Sequence, residues 1–527
     1  MHHRKAYHSG ADRFVLRVRV LAVLLSIAAL IIGGRLYYLQ ILHGDEYARR
    51  SQAQATVNKD PLLNRGSIYF SSKDGEQIIA ATLRLPGQGL RAQADAEKNA
   101  SSSDQRQRYY PGGSMAAHVL GFVAYNNDSI QKGRYGLERY YEQTLSRPEE
   151  GLYANFFVEL FGDIAGALRG APQKGDLITT LEPVVQAELE STLQAYADKW
   201  HPAIAGGIVM DPNTGEIVAM AALPAFDPNE FNKEEDARIF GNPMVENVYE
   251  MGSIMKPLTM AAGLDEGVVT EQSTYNDTGS VTLDGKTFSN FDGKARGVVS
   301  MQEVLSQSLN VGAAYVAGRL GPEKMREYFL ERYKLGEETG IDLPGEVRGL
   351  TENLQSPRRV EYATASFGQG LANTPVEMAR AFAVLANGGS LVTPHVVRSV
   401  EEESGALRDL GWGEGEQIIK PETSVAISRM LTKVVDGPLA QGAVKLQHWS
   451  VAAKTGTAQI AAPSGGYYED RYLHSFFGYF PSFDARFVVF LFAAEPHGAS
   501  FSSQTWALPF KYLTQFLINY YDIPPDR

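Results

Sequence analysis

Three short strings of reactive residues lie far apart in this chain, and a fold must bring them together before any of them carries chemistry. They are Ser253-Ile254-Met255-Lys256, Ser308-Leu309-Asn310 and Lys454-Thr455-Gly456-Thr457. The first pairs a hydroxyl with an amine one helical turn on. The second adds a hydroxyl and a carboxamide, and the third a cation beside two hydroxyls. A Ser-x-x-Lys string alone arises readily by chance, and a decoy stands at Ser129-Ile130-Gln131-Lys132 in a polar turn that reads as a solvated loop. Pro257 sets the first string apart. It has no N–H to donate to the Ser253 carbonyl, so a helix must begin at about Ser253, where such a proline is tolerated. Ser253 then sits at the positive end of a helix, with Lys256 over the same face.

A hydroxyl is a weak nucleophile until a base removes its proton, and an ammonium is no base. Lys256 must be neutral to act, which burial and a second nearby cation favour; Lys454 is the candidate for that cation. Each string also has a bland reading: an N-cap serine with a surface lysine, a capping Ser and Asn, a strand that ends in a turn. Three strings in order, each in a suitable context, argue against coincidence. Gly456 lets a backbone approach closely, and the edge of a strand there suits an extended peptide that adds as a further strand.

The rest of the chain narrows the class. With 527 residues it exceeds one ordinary domain, and a 44% hydrophobic and 21% charged composition is that of a globular protein. The absence of cysteine excludes disulfides, a thiolate nucleophile and Cys-based metal sites, and no histidine pattern suggests another metal site, so no metal or cofactor is expected. A net charge of -12 gives no basic face for nucleic acid.

Residues 20–34 are uncharged, and with Arg35 and the apolar Leu36–Leu42 the run reaches the ~20 residues needed to cross a bilayer. Arg4, Lys5, Arg13, Arg17 and Arg19 precede it against one acid, Asp12, so the N-terminus is expected in the cytoplasm and the remainder outside. A cleaved signal peptide is disfavoured, because the apolar stretch continues without a polar cleavage region.

Beyond the anchor, residues 43–199 read as mixed and polar, with an apolar strand or helix at Ala116–Tyr125, a charged helix at Tyr135–Leu145 and a helix over Thr180–Ala197. Ala205–Asp211, the turn through Gly215, and Glu216–Met220 make a buried hairpin. Helical spacing follows at Lys256–Leu264, Ser300–Leu320 and Val376–Ala386, with late strands at Trp449–Ala453 and Arg486–Ala494. Strands at both ends with helices between predict an antiparallel sheet packed with helices, an α+β fold.

With these strings in place the chain resembles the class B penicillin-binding proteins, the monofunctional D,D-transpeptidases that cross-link peptidoglycan. The likeness extends through Asn64-Arg65-Gly66-Ser67-Ile68, Arg108-Tyr109-Tyr110-Pro111, Ala117–Gly121, Gly136-Leu137-Glu138, Asp211–Pro224, Phe226–Asn229, Thr339–Glu346, Ser366-Phe367-Gly368-Gln369-Gly370 and Ala386-Asn387-Gly388-Gly389. It implies a penicillin-binding-protein/serine β-lactamase-like transpeptidase domain over 200–527, an elongated α+β pedestal over 43–199, a transmembrane anchor over 20–42 and a basic cytoplasmic tail over 1–19. The catalytic domain would then lie on the periplasmic or extracellular side of a bacterial cell membrane. Ser253 would attack the penultimate D-Ala carbonyl of a stem peptide and Lys256 take its proton. Ser308 would relay a proton to the departing D-Ala with Lys454 nearby, and Asn310 would hold the substrate amide. Thr455 and Thr457 would bind the terminal carboxylate, and the strand at Gly456 would carry the Thr457 amide that completes an oxyanion hole with that of Ser253. β-Lactams would be trapped as acyl-enzymes, and a membrane-embedded SEDS-type glycosyltransferase would be the partner, in division or elongation. Met251 stands for the proline usual before Gly-Ser, and Ala453 for the glycine usual before the lysine. The stretch from Tyr69 to Arg108 is altered and short, which bears on partner contacts rather than chemistry.

A class A β-lactamase would need a deacylating Glu followed four residues later by Asn between Asn310 and Lys454, and none occurs. No room remains for a glycosyltransferase domain, nor are the extra helices of a β-lactam sensor visible. A D,D-carboxypeptidase, with water as acceptor, and a silent scaffold stay open.

Overall fold

The computed structural model describes residues 65–84, 107–125, 131–147, 174–463 and 465–527, with Arg19 and Val23. The expected anchor, Val23 apart, and Ser129 of the decoy lie outside the described residues. Among those described, no helix is long and apolar enough to cross a membrane and no group of His, Asp and Glu is placed to hold a metal. Contacts divide the chain into Met1–Asp60 with Pro148–Leu160, and Pro61–Arg147 with Phe161–Arg527. All the elements below belong to the second unit.

Its centre is a five-stranded antiparallel sheet of β1 (Ile204–Met210), β2 (Ile217–Leu223), β3 (Ala452–Ala461), β4 (Tyr467–Phe480) and β5 (Phe487–Ala494), in the order β3-β4-β5-β1-β2. Around it stand α1 (Pro183–Trp200), α2 (Lys256–Asp265), α3 (Asn310–Arg326), α4 (Pro375–Ala386), α5 (Pro421–Asp436) and α6 (Ala507–Tyr520). Phe476 and Phe477 show why β4 and β5 lack the alternation of a half-exposed strand. Neighbours on β4, they face opposite sides, Phe476 against Phe510 of α6 at 4.5 Å and Phe477 stacked on Phe382 of α4 at 3.8 Å. Both faces are covered, so every residue of β5 is buried. Tyr196 of α1 stacks on Trp506 just before α6, which closes the α1–α6 side.

A second sheet runs in the order Leu407–Asp409, Val397–Glu402, Gly175–Thr179, Ile68–Ser71, Gln77–Arg84 and Gln107–Tyr109. Val397–Glu402 pairs antiparallel with Gly175–Thr179, so the late chain completes a sheet begun by the early chain. The boundary expected between 199 and 200 therefore falls inside one compact unit. Asp342, from the Thr339–Glu346 string, is fully buried and accepts from the Val396 and Val397 amides at 2.8 and 2.9 Å and from the Tyr141 hydroxyl at 2.9 Å. That string holds the junction.

Three other early strings meet at one carboxylate. Glu138 accepts Arg65 Nε at 2.7 Å and Arg108 Nε at 2.6 Å, with the Tyr110 hydroxyl at 3.2 Å. The segment read as one charged helix is two short ones, Gly136–Tyr140 and Glu142–Leu145, and Glu138 turns inward rather than to solvent. Residues Ser300–Leu320 likewise divide, into Met301–Ser306 and α3, and the break carries Ser308. The strand expected at Trp449–Ala453 begins at Ala452 and continues through Ala461, because the Lys454–Thr457 backbone keeps its pairing with Phe477–His474.

Candidate active site

Ser253 occupies a 3-10 turn, Gly252–Met255, that leads directly into α2. Pro257 stands in the first turn of α2, as its missing N–H requires. Gly252 makes the sharp entry possible: it has φ +63°, and a Cβ there would lie 2.9 Å from the Thr457 carbonyl oxygen. The turn thus abuts β3. Its backbone is held by the Gly252 amide on the Gly368 carbonyl at 3.1 Å and by the Ser475 hydroxyl on the Met251 carbonyl at 3.0 Å.

Gly456 is required for the same close approach. An alanine Cβ would collide with the Ser475 hydroxyl and the Met251 carbonyl, both already engaged with each other. We expect Gly456→Ala to cost about 1–3 kcal/mol of stability in urea unfolding, the range for overpacking a tight contact.

Lys256 Nζ lies 3.0 Å from Ser253 Oγ, 3.0 Å from Ser308 Oγ and 2.6 Å from the Ser308 carbonyl. Lys454 Nζ approaches from β3, 3.1 Å from Ser308 Oγ and 3.0 Å from the Thr455 carbonyl. Ser308 takes this central position with φ +54°, a strained conformation for a residue with a Cβ. Both lysines are buried, 1% and 2% exposed. Burial drives the Lys256 pKa well below the usual lysine value, and the charge of Lys454 drives it further. Burial alone brings Lys454 down to about 7. Burial thus favours the neutral form of both amines, and for Lys256 the charge of Lys454 adds to it, which suits an amine seated on two hydroxyls to act as a base.

Asn310 opens α3, and its Nδ2 donates to the Ser289 carbonyl at 2.8 Å. The same edge is propped by buried Asn290, which accepts the Val311 amide at 3.1 Å and donates to Asp277 at 3.0 Å. Thr455 and Thr457 alternate with the buried Lys454 and Gly456 and face a cleft of about 700 Å³. Ser253, Ser308, Asn310 and Lys454 reach the same cleft. Thr457 Oγ1 accepts the Ser502 amide at 3.0 Å, which leaves its own proton for an acceptor in the cleft. Six of the eight residues singled out from sequence thus line one cleft, with Gly456 at its back and buried Lys256 behind Ser253 and Ser308, whereas Lys132 of the decoy is exposed on a short strand, Gln131–Gly133.

Sequence reasoning missed Phe291, Gln459, Tyr472 and Phe501, which also line the cleft, and Ser475 and Asn290, which brace it. No local pattern marks these residues; their positions depend on pairings between distant segments.

The penicillin binding protein transpeptidase domain family matches residues 205–509. Stage V sporulation protein D of Bacillus subtilis is 32% identical over 76% of this chain, which spans 62% of that protein's length. Penicillin-binding protein PbpB of Mycolicibacterium smegmatis is 30% identical over 90% of this chain and 74% of its own. The probable peptidoglycan D,D-transpeptidase FtsI of Caulobacter vibrioides is 30% identical over 76% of this chain and 64% of its own. The crystal structure of penicillin binding protein 3 from Mycobacterium tuberculosis superposes with a TM-score of 0.74 at 24% identity, covering 88% of this chain and 97% of that one. Structures of that protein with aztreonam and with ampicillin match at 0.73.

Proposed function

Since this chain belongs to the penicillin-binding protein transpeptidase family, among the class B proteins, we propose that it is a peptidoglycan D,D-transpeptidase with Ser253 as nucleophile. One observation carries the assignment of roles: Lys256 Nζ stands 3.0 Å from both Ser253 Oγ and Ser308 Oγ, in a buried site that favours its neutral form.

Lys256 takes the Ser253 proton as Oγ attacks the carbonyl of the penultimate D-Ala. The oxyanion accepts from the backbone N–H groups of Ser253 and Thr457, donors typically worth ~100–1000-fold in rate each. The C–N bond breaks as a proton passes through Ser308 Oγ, with Lys454 3.1 Å away, to the departing D-Ala amine. An ester on Ser253 remains. The amine of a second stem peptide attacks it, forms the new amide and returns the proton to Ser253. Asn310 offers its free amide atoms to the substrate backbone, and Thr455 and Thr457 take the terminal carboxylate beside Lys454. β3 is the edge strand of its sheet, which supports entry of the peptide as an added strand. A β-lactam carbonyl in the same position acylates Ser253 and stays there.

Incubation with a stem peptide ending in D-Ala-D-Ala and an amine acceptor should release D-Ala and form one new amide per D-Ala lost. Release without a new amide would assign the protein to the carboxypeptidases instead. The apolar run at 20–42 and the basic residues before it support a single-pass anchor with the N-terminus in the cytoplasm and the catalytic domain outside. The residues before 200 are the part we assign to the pedestal and to contact with a SEDS-type glycosyltransferase.

A further inference from the structure

The cleft has a tie that the acyl-transfer steps do not use. β4 pairs with β5 only from Leu473 onward, so beyond the Tyr472 carbonyl and Arg471, which meet Glu495, the strand pairing of the residues before it is with β3: Tyr472 opposite Gln459 and Tyr467 opposite Ala461, with a shift of register between. This hairpin projects from the sheet as two strands, an arrangement marginal by itself in water. Yet Gln459 and Tyr472 on its arms line the cleft.

Its outer end is fastened. The Tyr467 hydroxyl donates to Glu250, 2.9 Å from Oε2 and 3.2 Å from Oε1. Glu250 lies three residues before Ser253, on the strand-like segment that enters the nucleophile turn. Burial raises the pKa of both the Glu250 carboxyl and the Tyr467 hydroxyl, and the Gly370 N–H acts on both in the opposite direction. Gly370 closes the Ser366–Gly370 string, whose Gly368 carbonyl holds the Gly252 amide and whose Phe367 and Gln369 line the cleft. One carboxylate therefore joins the nucleophile segment to the hairpin, beside the 366–370 loop.

We propose that Glu250 is a positioning residue that, through the Tyr467 hydroxyl, clamps the β3–β4 hairpin to the nucleophile segment and so sets the cleft arm of β3 relative to Ser253. The clamp rests on Ser253 being the nucleophile. Its contribution is to alignment. A peptide or β-lactam held along β3 must present its carbonyl within attacking distance of Ser253 Oγ, and small displacements there cost rate rather than binding.

The test is stopped-flow acylation by a chromogenic cephalosporin, which separates the non-covalent dissociation constant from the acylation rate constant. Tyr467→Phe removes one oxygen from a half-exposed ring and should lower the acylation rate constant by about 10-fold, with the dissociation constant within about 2-fold. Glu250→Gln should act alike, and the double variant should be no slower than the slower single one, since both break the same tie. A Tyr467→Phe protein that acylates at the wild-type rate, a loss confined to the dissociation constant, or losses that multiply in the double variant would overturn the clamp. Ser253→Ala run in parallel keeps the two claims apart. If it is inert while Tyr467→Phe is unimpaired, the clamp fails and the nucleophile stands; if it still acylates, the nucleophile is elsewhere.

Discussion

Methionine in place of Lys256 should give a protein that no longer acylates yet unfolds at a higher temperature at neutral pH. The first half follows from the geometry: Nζ is 3.0 Å from Ser253 Oγ, and a base in that position contributes roughly 100–10,000-fold. The second half follows from where the amine is kept. Lys256 is 1% exposed, and burial, followed by the charge of Lys454, holds its pKa well below the usual lysine value. In the unfolded chain the same amine titrates at about 10.4. Between these two values the unfolded state binds the extra proton, so stability rises with pH across the window and folding there strips a proton from an ordinary lysine. Each pH unit by which the folded pKa lies below the unfolded one costs about 1.4 kcal/mol, a cost that an apolar side chain of similar shape does not incur. Against this, the Ser308 carbonyl loses the donor at 2.6 Å, worth about 1–3 kcal/mol. The balance should favour methionine at pH 7, and the gain should shrink and reverse as pH rises to about 10.5, where the unfolded lysine is losing its proton as well. Melting curves at pH 7 and pH 10.5, with fluorescent penicillin labelling of the same samples, measure both halves. A Lys256→Met protein that is less stable than the parent at pH 7 would mean the site carries no such strain, and Lys256 would be an ordinary charged lysine.

The strings that carry the chemistry were legible because each obeys a local rule. Pro257 announces a helix start, and that start fixes Ser253 and Lys256 on one face. The hairpin of β1 and β2 is equally local, with Gly215 at φ +84° in its turn. What the sequence hid depends on partners far along the chain. β4 spans 14 residues, but its outer half is polar and exposed while its inner half is buried on both faces, so neither part alternates. Ser308 lies inside a stretch with helical spacing, and only the packing around two lysines makes its φ of +54° worth the strain. Glu138 reads as surface because charged residues surround it, and it is buried only because Arg65 and Arg108 arrive from elsewhere. The reacting groups were therefore readable, whereas the groups that aim them, such as Ser475, Asn290 and Glu250, were not.

Removing the charge of Glu138 should destabilise the second sheet more than any surface substitution and leave the cleft untouched. Glu138 is 0% exposed, with the Arg65 and Arg108 side chains 1% and 4% exposed around it. Burial works to raise its pKa, but Arg108 and then Arg65 outweigh it, and the carboxyl is held below the usual range. A depressed folded pKa means the stabilisation is complete above the unfolded value of about 4.3 and is lost as pH falls through the folded one. Glu138→Gln keeps the shape and one acceptor oxygen, so it isolates charge. It leaves Arg65 with the half-exposed Glu142 at 2.8 Å and leaves Arg108 Nε without its anion. Breaking a buried pair from one side typically costs about 3–5 kcal/mol, because the remaining charge cannot reach water. The urea midpoint of Glu138→Gln should fall accordingly at pH 7, the gap should narrow towards pH 4, and penicillin labelling of the folded fraction should match the parent. An unchanged midpoint would show that the two guanidinium groups reach solvent without the carboxylate, and the three early strings would then owe their meeting to apolar packing around Leu137 and Ile68 rather than to charge.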